Sequence, residues 1–124
     1  MAQEPLATEG NVLFVSEFRV IPGRGEELMK LFKEFDYSDD NLMHREPAQV
    51  KNGVLCRDPL DPDHFFLIGE WKSMETHRDA QARSRAAVRP AFLSLIEGGK
   101  LTSKYLNVVM STPPEHLNKH HQAF

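Results

Sequence analysis

Apolar and polar positions alternate along NVLFVSEFRVI, from Asn11 to Ile21. Alternation is the period of a β-strand, and Val, Phe and Ile favour one. Phe14, Ser16, Phe18 and Val20 fall on one face; Val15, Glu17, Arg19 and Ile21 fall on the other. The first face is apolar with one hydroxyl, and the second mixes charge with apolar members. Pro22 and Gly23 then turn the chain, and Glu26 and Glu27 suit a helix N-terminus. Leu28, Leu31, Phe32 and Phe35 repeat at i, i+3, i+4, i+7, which predicts an amphipathic helix.

The segment 36–47 is polar and irregular, and Pro47 excludes a continuing helix there. It could cover a pocket, with Tyr37, Met43 and His44 as available side chains. Ala48–Asp58 reads as a second strand with a kink at Asn52-Gly53, and His64–Trp71 as a third. The proline turn PLDPD between them makes a hairpin. Ser73 can cap a helix that runs through His77 into QARSRAAV. Pro90 argues for a break or restart, Ala91–Glu97 for a second short helix, and Gly98-Gly99 for its end. Ser103–Met110 is a fourth strand.

The order β-α-β-β-α-β is that of a ferredoxin-like α+β fold: a four-stranded antiparallel sheet with both helices on one face. The other face would be bare, with Val15, Ile21, Phe66 and Ile68 beside Glu17, Arg19 and Glu70. Apolar area of that kind calls for a partner. Two such sheets face to face close an eight-stranded dimeric α+β barrel, so a homodimer is expected. The chain divides into a loose arm (1–10), one domain (11–110) and a polar tail (111–124).

Composition changes this picture little. The chain has 124 residues, 40% hydrophobic and 27% charged, which suits one globular domain. A domain of that size buries roughly two thirds of the surface its unfolded chain exposes. Cys56 is the sole cysteine, so no internal disulfide forms and a reducing, cytoplasmic compartment is expected. The start MAQEPLATEG has neither the basic nor the apolar region of a secretory signal. No apolar run is long enough for a membrane span. A net charge of −3 is too weak to argue for nucleic acid or an anionic membrane. The charge is uneven: residues 34–63 are acidic and residues 72–104 basic. Two solvated faces would account for this; so would complementary lobes at a subunit contact, or a basic rim guiding an anionic ligand.

FVSEFRVIPGRGEELMKLF, followed by RDPLDPDHFFLIGEWKSMETH, resembles the antibiotic biosynthesis monooxygenase family of the dimeric α+β barrels. The shared features are a first strand ending R-x-x-P-G, an acidic proline hairpin, and a third strand ending E-W-x-S before a helix. The resemblance spans Asn11 to Met110. It implies a ligand cleft between the sheet and the helices of one subunit. Family members include oxygenases of polyketide quinones and quinols that use no metal or flavin, and also haem-degrading enzymes. The haem branch uses a first-strand asparagine, a helical tryptophan and an iron-binding histidine. The aligned residues here are Phe18, Ala80 and Pro90, which argues against haem. In the quinone branch Trp71 matches the strand-end tryptophan. His77 stands where that branch has a tyrosine, and Leu67 where it has an asparagine. Ala91 stands at its arginine, with Arg89 two positions short.

The implied chemistry is cofactor-free oxygenation of a small phenol, quinol or polyketide-like molecule by O2. It needs one base, one or two donors and dry apolar walls, and neither metal nor cofactor. His77 suits the base, since histidine titrates near neutral pH; it could equally be a surface residue of its helix. Trp71 could flank the substrate opposite Phe18, or lock strand to helix in the core. Ser16 is a candidate donor. Phe14, Phe18, Leu67 and Phe92 are candidate walls. Tyr37, His44 and Arg89 are the next candidates for base or anion-stabiliser. The same pocket would also serve a non-catalytic binding or stress-associated dimer, or an isomerase or decarboxylase. Other motifs carry less. His116, His120 and His121 lie in a polar tail, Asp58, Asp61 and Asp63 are interrupted by prolines, and GRGEE lacks the lysine of a phosphate loop.

Overall fold

A computed structural model describes residues 3–38, 42–84 and 89–117. Among the described residues four strands and three α-helices build the domain, with short 3-10 turns between them: β1 (Val12–Arg19), α1 (Gly25–Asp36), β2 (Gln49–Arg57), β3 (His64–Trp71), α2 (Met74–Ser84), α3 (Arg89–Ser94) and β4 (Thr102–Asn107). The four strands form one antiparallel sheet in the order β2-β3-β1-β4. This is the expected ferredoxin-like α+β arrangement. The β2 ladder shifts register between Lys51 and Val54, at the expected Asn52-Gly53 kink. Pro90 lies in the first turn of α3, where its missing N–H costs nothing.

The alternation in β1 decides which face meets the helices. Ser16, Phe18 and Val20 are buried there, and the core gathers around Phe18, Val20, Leu28, Phe65, Leu95 and Ile96. Burying side chains of this kind contributes roughly 1.5–3 kcal/mol each. The stripe of α1 divides its labour: Leu28 joins the core, while Phe32 and Phe35 stop short of it and border a cavity. Ser73 starts α2 with a reciprocal cap. Its Oγ accepts from the Thr76 N–H, and its own N–H donates to Thr76 Oγ1, both at 3.2 Å. That start leaves His77, one turn in, facing back onto the sheet.

On the opposite face Ile21, Val54 and Leu106 are exposed. Glu70, expected on this bare face, is instead buried. The cover is the segment read as a loose arm. Its Thr8 N–H, and Asn11 Nδ2 just beyond it, donate to Glu70 Oε2 at 2.8 and 2.9 Å, and Lys51 Nζ donates to the Pro5 and Leu6 carbonyls. These bonds join residues far apart in the chain, so no local pattern announces them.

Candidate active site

Between the helix-facing side of the sheet and the three helices lies a cavity of about 620 Å³, a size suited to small molecules. Its walls are apolar: Phe14 and Leu67 from the sheet, Leu31, Phe32 and Phe35 from α1, Phe92 and Leu93 from α3, with Met43 beside them. Its polar side chains are Ser16, Ser103 and Tyr105 on the strands, and Arg78, Gln81 and Lys100 on the helix and loop side. Positive φ at Gly98 and Gly99 reverses the chain after α3 and brings Lys100 to the cavity.

Register builds the polar floor. β1 and β4 pair Ser16 with Ser103 and Phe14 with Tyr105. The two serine hydroxyls lie 2.7 Å apart. One donates to the other, so one hydroxyl proton is left to turn toward a ligand. The Tyr105 hydroxyl lies 2.8 Å from His77 Nδ1. His77 itself is only 2% exposed. Phe14 stacks on its ring at 3.9 Å, and Trp71 and Tyr105 meet it edge-on at 4.9 and 5.5 Å. This aromatic box withholds water from an imidazolium, and burial pushes the His77 pKa down to about 4. The imidazole is therefore neutral at pH 7. In its Nε2–H tautomer it accepts the Tyr105 proton bond at Nδ1.

Of the residues singled out from sequence, Phe14, Ser16, Leu67 and Phe92 line the cavity. Phe18 and Trp71 do not. Phe18 is buried in the core, stacked on Phe65 at 5.8 Å with Phe92 edge-on at 5.4 Å. Trp71 is 2% exposed and closes the box around His77. The cavity thus lies among Phe14, Leu67 and Phe92 and not between Trp71 and Phe18, where the substrate was expected. His77 is neither a surface histidine nor a wall of the cavity; it reaches the cavity through Tyr105, and burial removes the near-neutral titration expected of it. Tyr37 is 75% exposed beyond the end of α1, with Lys33 Nζ 5.5 Å from its ring. His44 Nε2 bonds Asp36 Oδ1 at 3.0 Å and borders no part of the cavity, although its neighbour Met43 does. The side chain of Arg89, residues 85–88, and His120 and His121 lie outside the described residues.

Sequence reasoning missed Tyr105, Ser103, Arg78, Gln81 and Lys100. Ser103 and Tyr105 alternate on one face of SKYLN, and that spacing was the available signal. Among the described residues no three His, Cys, Asp or Glu side chains converge as metal ligands would. No described helix is long and apolar enough to cross a membrane.

No family model matches the sequence, and no curated protein does. Solved structures match the fold. SnoaB, a cofactor-independent oxygenase from Streptomyces nogalater, solved as an asparagine-to-alanine mutant, superposes with a TM-score of 0.66 at 20% identity, over 84% of this chain and 98% of that one. A conserved protein from Methanosarcina mazei superposes at 0.65 with 13% identity, over 78% and 91%. A structure named antibiotic biosynthesis monooxygenase superposes at 0.61 with 17% identity, over 80% and 99%. Identities this low speak to fold, and the chain has the ferredoxin-like α+β fold shared by structures named antibiotic biosynthesis monooxygenases.

Proposed function

We propose that this protein is a cofactor-independent monooxygenase of a small aromatic phenol or quinol, with Tyr105 as the catalytic residue and His77 as the proton acceptor behind it. The observation that carries this reading is that Tyr105 borders the apolar cavity and its hydroxyl lies 2.8 Å from a buried neutral imidazole. The substrate hydroxyl gives its proton to Tyr105 Oη as the tyrosine passes its own to His77 Nδ1. Charging His77 is costly in the aromatic box, and a substrate anion formed against Tyr105 supplies the counter-charge. The anion gives one electron to O2. Superoxide and the substrate radical combine at carbon, and the dyad returns its proton to the peroxide. Loss of water leaves a carbonyl, so one oxygen atom enters the product and the other leaves as water. Apolar walls keep bulk water from the anion.

The test is oxygen uptake over a panel of phenols and quinols. Tyr105→Phe should lower kcat roughly 100-fold, the usual range for losing general acid–base catalysis, with KM little changed. Full activity in Tyr105→Phe would remove the dyad from the mechanism. Product without oxygen uptake would point to an isomerase or decarboxylase, and saturable binding without turnover to a binding module.

We also propose a cytoplasmic homodimer, paired through the face that exposes Ile21, Val54 and Leu106. Sedimentation at micromolar concentration should give about twice the 14.2 kDa chain mass; a monomer at that concentration would end this proposal.

A further inference from the structure

Among the described residues several basic side chains form no ion pair, Lys30, Lys33, Arg45, Lys72 and Lys104 on the surface as well as two at the cavity. Arg19, Arg24, Lys51, Arg57 and Arg83 each have a carboxylate partner: Asp61, Glu27, Glu70, Glu26 and Glu46. Arg78 and Lys100 border the cavity, and neither forms an ion pair among the described residues. Among the described residues no Asp or Glu lines the cavity wall. Two exposed cations at the rim of the cavity give its opening a positive potential, which solvent and salt screen in part. The Arg78 guanidinium lies 5.5 Å from the Tyr105 ring centroid. The contact fixes one face of the planar group and leaves its N–H fork free for a bidentate partner.

We propose that the ligand of this cavity is an aromatic acid whose carboxylate is bound by Arg78 and Lys100. Because Arg78 lies over the ring of Tyr105, the carboxylate and the hydroxyl that meets Tyr105 Oη belong to the same end of the ligand. The substrate class is therefore a hydroxy-aromatic acid with neighbouring carboxylate and hydroxyl groups, its apolar remainder lying between Phe14, Leu67 and Phe92. Arg78 then has a second effect: it stabilises the phenolate as the proton leaves. This inference deepens the oxygenase reading and rests on the same cavity.

Calorimetric titration with a hydroxynaphthoic acid carrying adjacent carboxyl and hydroxyl groups, and with its methyl ester, tests it. The wild-type protein should bind the acid about tenfold or more tightly than the ester, the worth of one charge-assisted contact, and added salt should narrow the gap. In the double variant Arg78→Gln, Lys100→Gln the preference should shrink below about threefold, with ester affinity unchanged. Both side chains are exposed, so the substitutions leave the core intact. Equal affinities in the wild type, or a preference that survives the double variant, overturns the proposal while leaving the oxygenase reading standing. A preference for the acid without oxygen uptake upholds the acid site and removes the oxygenase. Binding of neither probe overturns the acid site, and the oxygenase reading is then decided by oxygen uptake over the phenol and quinol panel.

Discussion

His77 and Glu70 are both ionisable, both nearly sealed from water at 2% and 3% exposure, and close together where β3 gives way to α2. They lie on opposite faces of the sheet, and their surroundings differ in kind. The contacts of Glu70 are backbone and side chains of its own fold. Oε2 takes two donors from the N-terminal segment, Lys51 Nζ stands 3.9 Å from Oε1, and Oε1 has no hydrogen-bond partner among the described residues. The neighbours of His77 are three aromatic rings and one hydroxyl, and that hydroxyl belongs to a residue that borders the cavity. Burial of a titratable group is thus common to a tether and to a candidate site. What separates them is whether the group is connected to a space a ligand could fill.

The contrast can be broken by experiment, and acid offers the largest effect. His77 has a folded pKa of about 4, below its ordinary 6.5. Between these values the unfolded chain binds the extra proton and the folded chain does not. Stability therefore falls as pH drops from 6.5 toward 4 and levels off below. The loss amounts to on the order of 3 kcal/mol. Urea unfolding at stepped pH should show this slope in the wild type and a shallower one in His77→Gln, which keeps a polar side chain but does not titrate. Parallel slopes would mean that His77 is not held neutral by burial.

Glu70 should behave as a tether. Glu70→Ala strands the Thr8 N–H and the Asn11 amide, at a cost of about 2 kcal/mol. It should also raise hydrogen exchange at Thr8 while leaving oxygen uptake within about twofold of wild type, a change worth well under 1 kcal/mol. Lost turnover with stability retained would reverse the assignment. Glu70→Gln keeps an acceptor oxygen and should cost less, about 1 kcal/mol.

Much of the fold is written in local pattern. The bounds His64–Trp71 could be read directly because two prolines precede that strand and a capping serine follows it. The α1 stripe and the two faces of β1 follow from period alone. The pattern predicts β4 over Ser103–Met110, but the strand runs Thr102–Asn107, because its pairing with β1 ends opposite Val12. The site was less legible. Phe14, Ser16, Leu67 and Phe92 were found because alternation and helical spacing say which face a side chain takes. Phe18 has the same face as Ser16, yet the helices close over it, and periodicity cannot tell a cavity wall from a core residue.

By itself, then, the sequence determined element types, their order, the apolar face of each and the prediction of a ferredoxin-like sheet. These depend on residues within a turn or a strand of one another. Tertiary structure decided the rest: that Tyr105 stands beside His77, that Ser103 meets Ser16, that residues before Val12 roof over Glu70, and that Arg78 and Lys100 share a cavity lined by no carboxylate among the described residues. Each of these joins separate elements through strand register or helix docking. That geometry is a property of the packed whole, and spacing along the chain does not encode it.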